Sequence, residues 1–203
     1  MSSPKVELAR EIVVELSHNY PRGRAIIAVD GIADTAGLAE TVADAFREAG
    51  RAAVRASILG FGRRRVEWFD AQRPGRSLYE NGFDYEAFRR ALVGPFRMGG
   101  SAGFQTAVFD PDRDAAVVPS WVTTQADAVL VVDGPFLLRR ELRGVWNYSA
   151  HLATGEERLA GLDAALREAQ NVYLVDANPG QAAMVNVDNS DSERPLRTYS
   201  DSC

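Results

Sequence analysis

Two acidic residues stand directly before a glycine at the end of an apolar run: Asp30-Gly31 after Ala25-Ile26-Ile27-Ala28-Val29, and Asp133-Gly134 after Ala128-Val129-Leu130-Val131-Val132. A carboxylate at the end of a buried strand can hold magnesium or a water, or take a proton from an attacking hydroxyl; it can equally do no more than accept from loop amides. Both readings stand for Asp30 and Asp133. Asp84, in Gly82-Phe83-Asp84-Tyr85, joins Asp133 as a candidate catalytic acid. Arg63-Arg64-Arg65 forms a dense cationic cluster, and guanidinium forks suit phosphate or carboxylate ligands, although such a run also serves as a solvated face. Trp68, Phe69, Tyr79, Phe83, Tyr85 and Phe104 are rings that either line a pocket for a planar ligand or close the core under a long loop. The candidate ligand set is therefore Asp30, Arg63, Arg64, Tyr79, Phe83, Tyr85 and Phe104. Gly31-Ile32-Ala33-Asp34-Thr35-Ala36-Gly37-Leu38 occupies the place where a phosphate-binding loop precedes its helix, yet no Lys or Arg lies between Asp30 and Phe46.

Other chemistries find little support. Cys203 is the single cysteine and sits at the last position, so neither an intramolecular disulfide nor a cysteine-based metal cluster is expected. His18 and His151 have no ligand-type spacing, and no metal site is predicted. His151 lies inside an apolar strand and reads as a satisfied core histidine; His18 ends a helix, where a cationic side chain is favourable. Ser57 and Ser149 carry no nucleophile-elbow pattern. A formal net charge of −5 disfavours a nucleic-acid surface. No apolar run approaches the roughly 20 residues that span a bilayer, and the N-terminal stretch has no apolar signal core, so a cytoplasmic location is predicted.

These residues need a scaffold, and the hydrophobic pattern supplies one. Glu7 to His18 repeats Leu8, Ile12, Val13 and Leu16 at helical spacing, and Leu38 to Ala49 forms a second amphipathic helix that Gly50 ends. Residues 25–30, 52–58, 128–134, 148–152 and 183–188 read as strands, most of them apolar on both faces. Residues 106–110 and 115–119 flank a turn and read as a hairpin. Helices are predicted near 85–92, over 137–142 and over 155–171. Strands alternating with helices argue for a doubly wound, mostly parallel sheet. One domain over 1–192 is expected, with 60–105 as an acceptor or covering region and 193–203 as a flexible tail.

The run from Ile26 to Ala49 resembles the phosphate-loop segment of the uridine kinase-like family of actinobacterial type, in which Val-Asp-Gly opens G-x-x-x-x-G-K-[ST]. Aligned on Gly31, the second glycine falls on Ala36, the lysine on Gly37 and the hydroxyl residue on Leu38, with Thr35 as a nearby hydroxyl out of register. Residues 57–65 resemble the family's second-strand end, whose two acids fall on Leu59 and Gly60. Tyr79 to Tyr85 resembles the acceptor-binding stretch, Phe104 to Asp110 its hairpin and Val131 to Leu138 its Walker B-like strand, which keeps Asp133. The arginine-bearing lid corresponds to Arg158 to Tyr173, with only Arg158 and Arg167.

The resemblance implies a P-loop kinase-like, three-layer α/β/α fold. The residues tied to its phosphate chemistry are absent together, and lysine, acids and lid arginines serve separate steps of one reaction. The expectation is a pseudokinase-type protein that binds a small molecule or a protein partner, with no cofactor. The alternative is an active nucleoside or small-molecule kinase that uses ATP and magnesium through substitute residues.

Overall fold

The computed structural model describes residues 3–99, 102–118 and 120–199. In chain order it contains α1 (Pro4–Asn19), β1 (Ala25–Asp30), α2 (Thr35–Glu48), β2 (Ala53–Ser57), α3 (Arg65–Trp68), α4 (Pro74–Asn81), α5 (Tyr85–Ala87) and α6 (Gly94–Met98). Next come β3 (Phe109–Asp110), β4 (Ala115–Ala116), β5 (Val129–Gly134), β6 (Tyr148–Ala153), α7 (Glu156–Ala160), α8 (Ala164–Ala177), α9 (Pro179–Ala182), β7 (Val185–Asp188) and β8 (Leu196–Thr198). The main sheet has the order β2-β5-β1-β6-β7-β8; neighbours pair in parallel except the antiparallel β7–β8 edge. β3 and β4 form a separate antiparallel hairpin. Pro119 and Cys203 lie outside the described residues.

Two apolar layers sandwich the sheet, because β1 and β5 are buried along their whole length and send alternate side chains to opposite faces. On one face Leu8, Ile12 and Leu16 of α1 and Leu38, Val42 and Phe46 of α2 pack on Ile27, Val29 and Val131. On the other, Phe61, Phe88, Phe96 and Tyr173 pack on Ile26, Ala28, Leu130 and Val132. Each such fully buried side chain contributes about 1.5–3 kcal/mol.

Several elements differ from the sequence expectation, each for a local reason. The helix expected over 155–171 is two helices, α7 and α8, broken at Gly161; Asp163 then caps α8 by accepting from the Ala165 amide at 2.8 Å. α8 consequently runs on to Ala177 and brings Tyr173 into the core. The helix expected over 137–142 reduces to a turn and one 3-10 turn at Arg140–Leu142. The helix near 85–92 extends to Met98 through a π-helical stretch, Phe88–Val93. Pro95 has no N–H to give Ala91, whose carbonyl accepts from Gln105 instead at 2.9 Å. α4 was not expected. Gly75 lets it dock on α8, since a Cβ there would stand 2.3 Å from Glu168 Cβ.

The C-terminal segment expected to be flexible carries β8. Leu196–Thr198 adds to the β7 edge, and Arg197 pairs with Glu15 of α1. Backbone pairing with an unfilled sheet edge does not depend on side-chain periodicity, so the sequence pattern gave no signal for it.

Candidate functional site

β1 and β5 are adjacent, so the two Asp-Gly endings emerge side by side. Their register is offset by one: Asp30 faces Gly134, and Val29 faces Asp133. With a side-chain period of two, that offset sends the carboxylates to opposite faces of the sheet. Asp133 points toward α2 and Asp30 toward α8. The two acids therefore do not address one crevice, although the strands that carry them are neighbours.

Asp133 is 3% exposed. One carboxylate oxygen accepts from the Thr35 hydroxyl at 3.0 Å, and the other pairs with the guanidinium of Arg55, on the edge strand β2. Arg55 also donates to Glu40 of α2 at 2.9 Å. Burial pushes the Asp133 carboxyl above its usual range, against the lowering pull of Arg55 and Thr35. Thr35 is the first residue of α2 and brings its hydroxyl to the Asp133 carboxylate, while the Ser57 hydroxyl donates to the Asp133 carbonyl oxygen at 3.3 Å. Leu38, aligned with that role by sequence, is buried in the core one turn later, while Ala36 and Gly37 lie exposed in the first turn.

The turn between β1 and α2 is therefore short. Thr35 stands four positions after Gly31, whereas the phosphate-loop motif places its hydroxyl residue seven after the first glycine. Gly31 is held tightly: its amide donates to Gly134 O at 3.1 Å, and a Cβ would lie 3.0 Å from Thr35 Cγ2 and 3.1 Å from Leu152 O. Asp34, immediately before the hydroxyl residue, adopts a left-handed conformation with φ 56° and pairs with Arg158 of α7 at 2.6 Å.

On the opposite face Asp30 is fully buried. It accepts from the Leu137 amide at 2.8 Å and from the Tyr173 hydroxyl at 2.9 Å, and lies 2.7 Å from His151 Nδ1. Tyr173 in turn accepts from the Leu138 amide at 3.1 Å; burial and then the Asp30 charge push its hydroxyl pKa well up. This network clamps the turn after β5, where Phe136 takes a left-handed conformation with φ 63°. The Phe136 ring packs edge-on against Tyr79 and Tyr173, each at 5.2 Å, and Phe83 at 6.1 Å.

The aromatic candidates thus divide. Tyr79 is buried, with its hydroxyl on Asp176 at 2.6 Å, and Phe104 is fully buried against Phe96. Both close the core, because a ring surrounded by other rings gains more than one left facing water. Tyr85 is half-buried under the Arg139 guanidinium, which also covers Tyr79; burial, partly offset by Arg139, pushes the Tyr85 hydroxyl up to about 12. Asp84 caps α5 by accepting from Ala87 N at 2.8 Å, with Arg63 at 3.9 Å.

Arg63 and Phe83 do meet. They border a cavity of about 290 Å³ together with Arg65, Trp68, Leu59 and Phe109, between α3, α4 and the β3–β4 hairpin. Arg65 lies over the Phe69 ring at 4.5 Å, and Arg64 precedes α3 as an exposed residue.

Sequence reasoning passed over Arg55, Glu40, Arg139 and Tyr173. Arg55 had a usable signal: it is the one charge inside Ala53-Val54-Arg55-Ala56-Ser57, a strand whose neighbour ends in Asp133. Among the described residues, no cluster of three His, Cys, Asp or Glu could hold a metal, and no helix is long and apolar enough to cross a membrane.

No family model matches the chain, and no curated protein matches it. Solved structures do. A possible uridine kinase from Bacillus stearothermophilus superposes with a TM-score of 0.73 at 16% identity, covering 90% of this chain and 96% of that one. A candidate fructose transport system kinase from Silicibacter sp. TM1040 superposes with a TM-score of 0.59 at 24% identity, covering 90% and 95%. These likenesses, with the mostly parallel sheet between helical layers, establish a P-loop kinase-like α/β fold.

Proposed function

We propose that this chain is a kinase-fold protein that binds a small ligand or a protein partner without transferring phosphate from ATP. The observation that carries the reading is the ion pair that the Asp133 carboxylate makes with Arg55 of the same chain. In working P-loop sites the corresponding hydroxyl and Walker B acid hold magnesium between them.

The turn after β1 supports the same reading. Three residues are missing from the stretch whose amides would wrap a phosphate. The position before Thr35, where the motif has lysine, is Asp34. A triphosphate there would meet an Asp34–Arg158 ion pair in place of the free lysine that draws in its β and γ groups. Arg158, in the segment corresponding to a lid, is engaged with Asp34. These residues do not fit magnesium triphosphate, and no cofactor is proposed.

The ligand side is the cavity beside Arg63, Arg65, Trp68 and Asp114, whose ring faces suit a small planar molecule and whose arginines suit an anionic group on it. The kept Thr35–Asp133 pair is the one feature that favours the alternative of an active small-molecule kinase. Calorimetric titration with magnesium ATP decides between them. No saturable heat at sub-millimolar nucleotide is expected; tight binding, or turnover with a nucleoside acceptor, removes the proposal.

A further inference from the structure

A second cavity, of about 650 Å³, is bordered by α4, α8 and the Arg139–Arg140 turn, and it shares no bordering residue with the one beside Arg63. Its size is that of a small-molecule site. We infer that it binds a small zwitterion, one that carries a carboxylate and an ammonium on an apolar body. This goes beyond the reading above, since it concerns other residues and a ligand of its own.

Two opposite charges on the border of the cavity lack partners, while the others are engaged. Arg139 is 5% exposed, stacks over Tyr79 and Tyr85 and donates to Tyr79 O at 2.6 Å. It also holds both oxygens of Glu141, at 2.8 and 2.9 Å. Arg76 and Glu80 neutralise one another at 3.1 Å. Arg140 and Asp176 remain, both exposed, and among the described residues neither enters an ion pair. One Asp176 oxygen accepts from the buried Tyr79 hydroxyl at 2.6 Å, which orients the carboxylate and leaves its other oxygen without a donor among the described residues.

Asp176 is also misplaced for its helix. It stands in the last turn of α8, where the carbonyl end disfavours a negative side chain and no basic residue offsets it. A ligand ammonium relieves that cost, and a ligand carboxylate answers the Arg140 guanidinium. A plain anion would meet Asp176, and a plain cation would meet Arg140; a zwitterion satisfies both. Between these charges Val172 packs on the core while Val175 is 87% exposed, an apolar surface that a hydrocarbon body covers.

The test is titration of the full chain with L-leucine and with dileucine, followed by its backbone amide resonances; the two probes separate a free amino acid from a peptide with free ends. Saturable shifts with a Kd on the order of 1 mM are expected for at least one of them. Isocaproate, which keeps only the carboxylate, and isoamylamine, which keeps only the ammonium, are expected to bind at least about tenfold more weakly. Arg140→Gln and Asp176→Asn are expected to weaken binding by a similar factor and to keep the fold, because Arg140 is exposed and asparagine still accepts from Tyr79. Val175→Trp, a change at an exposed position that fills the cavity, is expected to abolish binding. The proposal is overturned if neither probe gives saturable shifts up to about 10 mM, if either single-charge analogue binds as tightly as the zwitterion, or if binding survives Arg140→Gln or Val175→Trp. It is overturned equally if the chain self-associates and these variants make it monomeric, because a second copy then supplies the two charges. None of these outcomes touches the non-phosphorylating reading, which the magnesium ATP titration decides.

Discussion

At the strand ends of this sheet one group of acids is closed on partners from the same chain, while a cavity beside Arg63 is left open. Around Asp30, Asp133 and Asp34 each carboxylate has partners from the same chain: Tyr173, His151 and Leu137 N for the first, Arg55 and Thr35 for the second, Arg158 for the third. Around Arg63 and Trp68 a cavity of about 290 Å³ remains, bordered by two arginines, rings and Asp114. A fold can keep its crevice architecture while internal pairing fills one part of it.

The contrast breaks most severely at Asp30. Asp30→Ala strips the Leu137 amide and Tyr173 hydroxyl of their buried partner, and unpaired buried donors are costly; a loss of about 3 kcal/mol is expected in urea unfolding. A loss under about 1 kcal/mol would mean that the network does not hold the turn after β5.

Asp133 comes next, and here pH is the lever. Burial raises its folded-state pKa, so the folded protein holds that proton more tightly than the unfolded chain does. By linkage its contribution to stability is largest below the ordinary carboxylate range and falls as pH rises through the raised value. Asp133→Asn should remove that downward slope. Melting curves from pH 4 to 7 compare the two proteins, and identical slopes would contradict the assignment.

Arg63→Ala gives the smallest effect on the fold. Its side chain is exposed and its pairing with Asp84 is long, so a change within about 0.5 kcal/mol is expected in the same unfolding experiment. A loss above about 2 kcal/mol would place Arg63 with the closed group and not beside the open cavity.

Much of the architecture was legible in the residues. The apolar runs ending at Asp30 and Asp133 became two adjacent interior strands, and the spacing of Leu8, Ile12 and Leu16 became the buried face of α1. The candidate site was less legible. Alignment on Gly31 placed the hydroxyl role on Leu38, but the length of a turn is set by where the helix docks, and α2 docks with Thr35 over Asp133. Arg55 stands out locally as the one charge in its strand, but its partner lies 78 residues away, so the local pattern did not say which acid it meets.

By itself the sequence determined the alternation of strands and helices, the depth of the two interior strands and the lack of a cation after the first of them. Those follow from composition and period, which are local quantities. Only the tertiary structure decided which face each acid addresses, which arginine answers it and which rings are core. A one-residue register offset between β1 and β5 sets the first, and side chains distant in sequence converge to set the others.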